Sequence, residues 1–259
     1  MLGVVALFGV LGYNYVQERR ARRHAERSFA SRHADVLLEK SDVHGDVRRE
    51  PTLRPEPQPG ATPHPQADYI IEVSLPLREG WSAVEHRFGR RALLTDTSAA
   101  LQMVTRDGVV SEAELLEFRS EVETLASKGG AAVRAPEMRS ALEAAQELDR
   151  ACADADIQIA LHVIGGSGDV PQSPAFQVIQ RQDGVTLLLD VARTPEPSRN
   201  YEAMVRAARH LGGKIIDDNG SPLDERTLAA IGAQIDAVRQ ELVGRGIEPG
   251  GPLALRLFS

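Results

Sequence analysis

Apolar residues recur with helical spacing in two stretches of the C-terminal half, and a short segment rich in glycine and aspartate joins them. The first stretch predicts an amphipathic helix whose apolar positions are Tyr201, Met204, Val205, Ala208 and Leu211. Gly212-Gly213 ends this helix, since glycine adopts the left-handed conformation at low cost. A short strand, Lys214 to Asp217, and a turn at Asn219-Gly220 follow. Asp224 is then placed to cap a last helix with the apolar positions Leu228, Ile231, Ile235, Val238 and Leu242.

The same order of elements is predicted twice along the chain. In the first half, strands at Tyr69 to Leu75, around Val84 to Leu94 and at Leu101 to Thr105 precede a helix that Ser111 and Glu114 begin as a capping box. The first occurrence then ends with Gly129-Gly130, a strand at Ala131 to Arg134 and a helix from Pro136 through Cys152. The second half has strands at Ile157 to Ile164, Phe176 to Ile179 and Val185 to Val191, then the helix from Ser198. This repetition predicts two related α+β units, each an antiparallel sheet with helices on one face. The alternative is that two ordinary α+β segments share an element order by coincidence.

The N-terminal quarter has a different pattern. Residues 1–17 are nearly all apolar and predict a transmembrane anchor, which would be short because 16 helical residues span roughly 24 Å of a hydrocarbon core about 30 Å thick. Arginines at 19, 20, 22, 23 and 27 make residues 18–40 a basic membrane-proximal segment and predict an N-terminus outside the membrane. A buried or frayed helix is the alternative. Residues 41–67, rich in proline, predict an extended linker. The boundaries expected beyond it are 68–154 for the first unit, 155–246 for the second and 247–259 for a tail.

Composition and motifs argue against catalysis. A net charge of -7 argues against nucleic-acid binding, and the single cysteine, Cys152, excludes a disulfide within one chain. Gly165-Gly166-Ser167-Gly168 lacks the Lys-Ser/Thr of a phosphate-binding loop. His162 has no metal-ligating partner at suitable spacing, and Asp217-Asp218 is more typical of a strand end than of a cation site. The sequence thus predicts no enzyme, metal, cofactor or small-molecule substrate; a small ferredoxin-like enzyme is the open alternative.

The C-terminal pattern resembles the FtsZ-binding domain of the ZipA family of bacterial cell-division proteins. The residues that carry the resemblance are Gly184 to Val191, Met204, Ala207-Ala208, Gly212-Gly213, Asp217-Asp218, Pro222-Leu223 and the last helix. The resemblance implies a split β-α-β fold with helices packed on one face. It also implies the family's plan of an N-terminal anchor, a variable linker and a cytoplasmic C-terminal domain.

The resemblance further implies a peptide-binding cleft on the sheet face opposite the helices, where the C-terminal peptide of FtsZ binds. Strand alternation directs Val185, Leu187 and Leu189 to the helices and places Thr186, Leu188 and Asp190 on the open face. On the neighbouring strand, Gln158 and Ala160 fall on the same face, although the family has larger apolar residues there. Only 20 residues, Gly165 to Gly184, join the two strands, whereas the family has a helix and several strands, so much of the cleft wall is expected to be absent.

Together these features predict a single-pass adaptor of the inner membrane that tethers the FtsZ ring through the FtsZ C-terminal peptide, with a lipid bilayer as its second partner. The alternative is a scaffold of the same fold that has lost FtsZ recognition and self-associates or binds another division or envelope protein. In that case Leu188 would be covered by another part of the chain.

Overall fold

The computed structural model describes residues 62–166 and 173–259. The predicted anchor at 1–17, the basic segment at 18–40 and most of the proline-rich linker lie outside these ranges. Within the described ranges, no helix is both long enough and apolar enough to cross a membrane.

The first α+β unit contains a four-stranded antiparallel sheet. Its elements are β1 (Asp68–Val73), α1 (Trp81–Phe88), β2 (Ala92–Leu94), β3 (Ser98–Gln102), β4 (Val104–Thr105), β5 (Gly108–Val109), α2 (Glu112–Lys128), β6 (Val133–Arg134) and α3 (Met138–Ala155). The strand order is β2-β3-β1-β6, and β4 and β5 form a separate hairpin.

The second unit repeats this arrangement. Its elements are β7 (Gln158–Ile164), β8 (Gln177–Gln180), β9 (Gly184–Asp190), α4 (Pro197–His210), β10 (Lys214–Ile216), α5 (Glu225–Gly244) and α6 (Pro252–Leu257). The strand order is β8-β9-β7-β10, and all neighbours are antiparallel.

Each unit contains a split β-α-β motif. Strands β3 and β6 both run antiparallel to β1, which lies between them, so they are parallel to each other and α2 connects them. Strands β9 and β10 flank β7 in the same way, with α4 as the connection. The predicted α+β class, with antiparallel sheets and helices, is confirmed, and the repeated element order corresponds to a repeated topology.

Side chains at the helix ends bind as their positions predict. The hydroxyl of Ser111 accepts a hydrogen bond from the Glu114 amide at 3.2 Å. The Asp224 carboxylate accepts hydrogen bonds from the Thr227 hydroxyl and the Thr227 amide, both at 2.7 Å, and these bonds lower the pKa of Asp224. After α4, Gly212 has φ 70°, the left-handed conformation expected of a glycine that ends a helix.

Two segments differ from the prediction. Residues 84–94 were expected to be strand-like, but the structure forms α1 and then the three-residue strand β2. The helix forms because it buries three side chains at helical spacing: Trp81, Val84 and Phe88. Their burial outweighs the local preference of the segment for a strand. The predicted tail, residues 247–259, includes α6, and four of its apolar side chains are almost fully buried: Ile247, Ala254, Leu257 and Phe258.

One continuous hydrophobic core runs through both units. From the second sheet, the inward side chains of β7 and β9 join it, including Leu161, Val163, Val185, Leu187 and Leu189. The two sheets therefore share a core on one side, and each has an outer face turned away from it.

Candidate functional site

The five residues predicted for the peptide cleft lie together on the outer face of the second sheet. Gln158 is directly opposite Asp190, and Ala160 is directly opposite Leu188, across the β7–β9 pair. Thr186 shares this face because it lies two residues from Leu188 on the same strand. The alternation along β9 therefore predicts the correct sheet face for Thr186, Leu188 and Asp190.

Three of the five side chains are buried all the same. Thr186 and Asp190 are fully buried and Leu188 is 3% exposed, whereas Gln158 and Ala160 are half-buried. Strand β9 is an inner strand, with β7 on one side and β8 on the other. The part of the predicted cleft that an external peptide can contact is correspondingly small.

Asp190 binds an arginine from the first unit. Arg106, which follows β4 in the hairpin, donates from Nη2 to Asp190 Oδ2 at 2.7 Å and to Asp156 Oδ1 at 2.6 Å. Gln158 Nε2 donates to the same Asp190 oxygen at 3.3 Å. Burial raises the pKa of the Asp190 carboxyl, and the Arg106 guanidinium opposes that rise. Asp190 thus connects the two units and is not available to a peptide.

A second arginine makes the reverse connection. Arg256 of α6 donates from Nη1 to Asp68 Oδ2 at 3.0 Å, and its Nε lies 3.4 Å from Gln102 Oε1. Asp68 faces Gln102 across β1 and β3, as Gln158 faces Asp190 across β7 and β9. Each sheet therefore carries a facing Asp–Gln pair that an arginine from the other unit binds. We call these contacts the reciprocal arginine clamps.

His162 has partners that its sequence spacing does not reveal. Its Nδ1 lies 2.8 Å from Thr186 Oγ1 and its Nε2 lies 2.8 Å from Asp218 Oδ1. A hydroxyl, an imidazole and a carboxylate in this order could activate a nucleophile, but the Thr186 side chain is fully buried and cannot meet a substrate. The arrangement attaches the turn after β10 to the sheet.

No metal-ligating cluster occurs among the described residues. In the Asp217-Asp218 pair, Asp217 accepts hydrogen bonds from the amides of Asn219 at 2.9 Å and Ser221 at 2.7 Å, while Asp218 binds His162. Both carboxylates thus have roles in the strand end and turn, as their sequence position predicts.

The outer face also carries three isoleucines that were not assigned to the site from sequence. Ile216 is opposite His162, Ile179 is opposite Thr186, and Ile164 is at the end of β7 beside Gly184. All three are half-buried, and none belongs to the continuous core. Alternation along β7 could have identified Ile164, but Ile179 and Ile216 depend on the pairing of β8 and β10. Ile216 and Ile179 lie at the two ends of one row whose middle is His162 and Thr186, and Ile164 lies in the next row. We call these three residues the isoleucine surface.

The short connection between β7 and β9 still provides an edge strand. Strand β8 pairs with β9, with Gln177 opposite Leu188 and Gln180 opposite Val185. Residues 167–172 of this connection, which include part of the predicted glycine-rich turn, lie outside the described ranges.

Comparison with known proteins supports an assignment for part of the chain. No curated protein and no solved structure matches it. A family does match, over residues that run from β8 into α5 and include Ile179, Thr186, Leu188 and Ile216. The resemblance predicted from the sequence is thereby confirmed for this part of the chain: residues 178–234 match the C-terminal FtsZ-binding domain of ZipA.

Proposed function

We propose that this protein is a cell-division adaptor that binds the C-terminal peptide of FtsZ on the outer face of its second sheet. The match of residues 178–234 to the ZipA FtsZ-binding domain supports this role. The observation that carries the proposal is the isoleucine surface, because half-buried apolar side chains outside the core are suited to receive apolar side chains of a partner.

The isoleucine surface is modest in size, and this limits its affinity. Full burial of one isoleucine side chain contributes about 1.5–3 kcal/mol, and the three isoleucines are already half-buried. Completing their burial would contribute about 2–4 kcal/mol in total, which is little after the cost of ordering a peptide. A single peptide would therefore bind weakly, and an FtsZ polymer that presents many peptides would gain through multivalency.

Tethering to the membrane is the second part of the proposal. The apolar residues 1–17 and the arginines after them support an N-terminal anchor that leaves the folded part in the cytoplasm. The proline-rich stretch from 41 to 67 would hold the sheet away from the bilayer while FtsZ filaments are bound.

Binding is tested with the full-length protein and a synthetic peptide that copies the C-terminus of FtsZ from the same organism. Ile179→Asp on the edge strand β8 should weaken binding about tenfold or more, because a carboxylate would be desolvated against the peptide's apolar side chains. Leu116→Asp is the matched control, since Leu116 is 54% exposed on α2 of the first unit. Equal affinities for the two variants would contradict the proposed surface.

The burial of Thr186, Leu188 and Asp190 favours one alternative. A scaffold with this fold, in which the cleft is covered and another division or envelope protein is the partner, would show no binding of the FtsZ peptide. The wild-type titration decides between the two functions, and co-purification from membranes would then identify the other partner.

A further inference from the structure

One row of residues crosses the outer face of the second sheet and has a cationic side chain at each end. Lys214 pairs with Ile164, and Ile164 pairs with Gly184. The amide of Arg181, the residue after β8, donates to the carbonyl oxygen of Gly184 at 2.9 Å. Neighbouring strands lie about 4.8 Å apart, so the backbones of Lys214 and Arg181 are about 14 Å apart, with Ile164 and Gly184 between them.

Neither cation has an acidic partner within the described residues. Arg181 Nε is buried and has no hydrogen-bond acceptor. Lys214 is exposed. Elsewhere in this unit, cations on helices do find carboxylates, as in Arg199–Glu196, Arg206–Glu202, Arg209–Glu225 and Arg245–Glu241. A buried Nε–H without an acceptor is unfavourable, and the described part of the chain supplies no acceptor for it.

The middle of the row contains Gly184. A Cβ added there would lie 1.9 Å from the carbonyl oxygen of Val163, so only glycine fits. At the other end of the outer face, Arg106 already neutralises the Asp190 carboxylate.

We propose that Arg181 and Lys214 form the anion-binding end of the outer face and hold a carboxylate of an apolar peptide whose other side chains lie on the isoleucine surface. This inference rests on the proposed function and adds the direction in which the peptide lies on the sheet. The charged group of the peptide lies at the Arg181 end, and the apolar group extends toward Ala160 and Leu188. A guanidinium can bind a carboxylate through two parallel hydrogen bonds, and the lysine adds a more mobile charge.

The carboxylate can come from an acidic side chain or from the free C-terminus of the peptide. The test titrates the full-length protein with the FtsZ C-terminal peptide in three forms: unmodified, amidated at the C-terminus, and with its acidic residues replaced by the corresponding amides. We expect the form that lacks the relevant carboxylate to bind about tenfold more weakly, and the other altered form to bind as the unmodified peptide does.

Protein variants provide the second arm. Arg181→Gln should weaken binding of the unmodified peptide about tenfold and Lys214→Gln about threefold, and both should reduce the dependence of affinity on salt. Their matched controls are Arg139→Gln and Lys128→Gln, exposed positions of the first unit. The Arg181→Gln variant and the wild type should bind the carboxylate-deficient peptide equally well, because that peptide lacks the carboxylate that Arg181 would bind.

The outcomes separate the two levels of the proposal. Suppose that the wild type binds all three peptide forms equally well and that Arg181→Gln and Lys214→Gln change the affinity no more than their control variants do. The anion-binding end is then refuted and the proposed function stands. If the wild type binds no form of the peptide, both are refuted.

Discussion

Replacing Arg256 by methionine should destabilise the whole folded body, because it removes one of the reciprocal arginine clamps. The Asp68 side chain is fully buried and that of Arg256 is 9% exposed. Methionine keeps much of the side-chain volume but leaves the Asp68 carboxylate with the His64 amide, 2.6 Å away, as its remaining hydrogen-bond donor. Breaking a buried pair from one side costs about 3–5 kcal/mol, a third or more of the stability of a typical domain.

The control is a surface pair on the same part of the chain. Arg245 and Glu241 lie 3.4 Å apart on α5 and their side chains are 44% and 48% exposed. Arg245→Met should therefore cost about 0–1 kcal/mol. The double variant Asp68→Asn with Arg256→Met should recover part of the loss, since it no longer buries an unpaired charge.

Urea unfolding of the full-length protein measures these differences with two probes. Circular dichroism reports on both units, and the fluorescence of Trp81, the single tryptophan, reports on the first unit, where it is 4% exposed. If the clamps and the common core make the two units one cooperative body, the two transitions coincide in the wild type. The reasoning is refuted if Arg256→Met costs no more than Arg245→Met, or if the double variant recovers nothing.

Three further predictions concern single residues. Burial raises the pKa of the Cys152 thiol to about 12, so it should react with a thiol reagent at neutral pH only after unfolding. Because the folded protein holds this proton more tightly than the unfolded chain, its contribution to stability is complete below the ordinary thiol pKa of 9.0 and is lost as pH rises toward 12, which urea unfolding at several pH values would show. Tyr201→Phe should lower the free energy of unfolding by about 1 kcal/mol, since its hydroxyl donates to the Leu228 carbonyl at 3.0 Å; an unchanged urea midpoint would contradict this. Gly184→Ala should prevent the pairing of β7 with β9 because its Cβ would overlap the Val163 carbonyl, and loss of folded protein in circular dichroism is the expected result.

The element order could be predicted because local patterns determine it. Ser111 and Asp224 begin helices by bonding amides three residues away, and helical or alternating apolar spacing identifies most of the rest. Residues 84–94 were predicted wrongly because a helix of only eight residues and a strand of only three follow each other there, and neither is long enough to establish its period. The packed C-terminal segment was not anticipated because Pro249-Gly250-Gly251 is typical of a tail, and the buried positions of a six-residue helix do not establish a period.

The site could be predicted only in part, because it depends on contacts between distant residues. Alternation assigned Thr186 and Leu188 to the outer face, but it does not tell how far a face is covered, and both residues are buried. The arginine clamps join residues that are 84 positions apart for Arg106 and Asp190 and 188 positions apart for Arg256 and Asp68. The aspartate and glutamine also exchange places between the halves, because Asp68 on β1 corresponds to Gln158 on β7. The arginines come from a hairpin in one unit and a helix in the other.

The reciprocal arginine clamps also have a mechanical consequence. A load applied between the chain preceding β1 and a ligand on the second sheet passes from one unit to the other, and the clamps connect the units at two places. Asp68, at the start of β1, is bound to α6, and Arg106, in the first unit's hairpin, is bound to the end of β9. Pulling the units apart would have to break both buried ion pairs together with the common core. The clamps would then let the two units carry the load together.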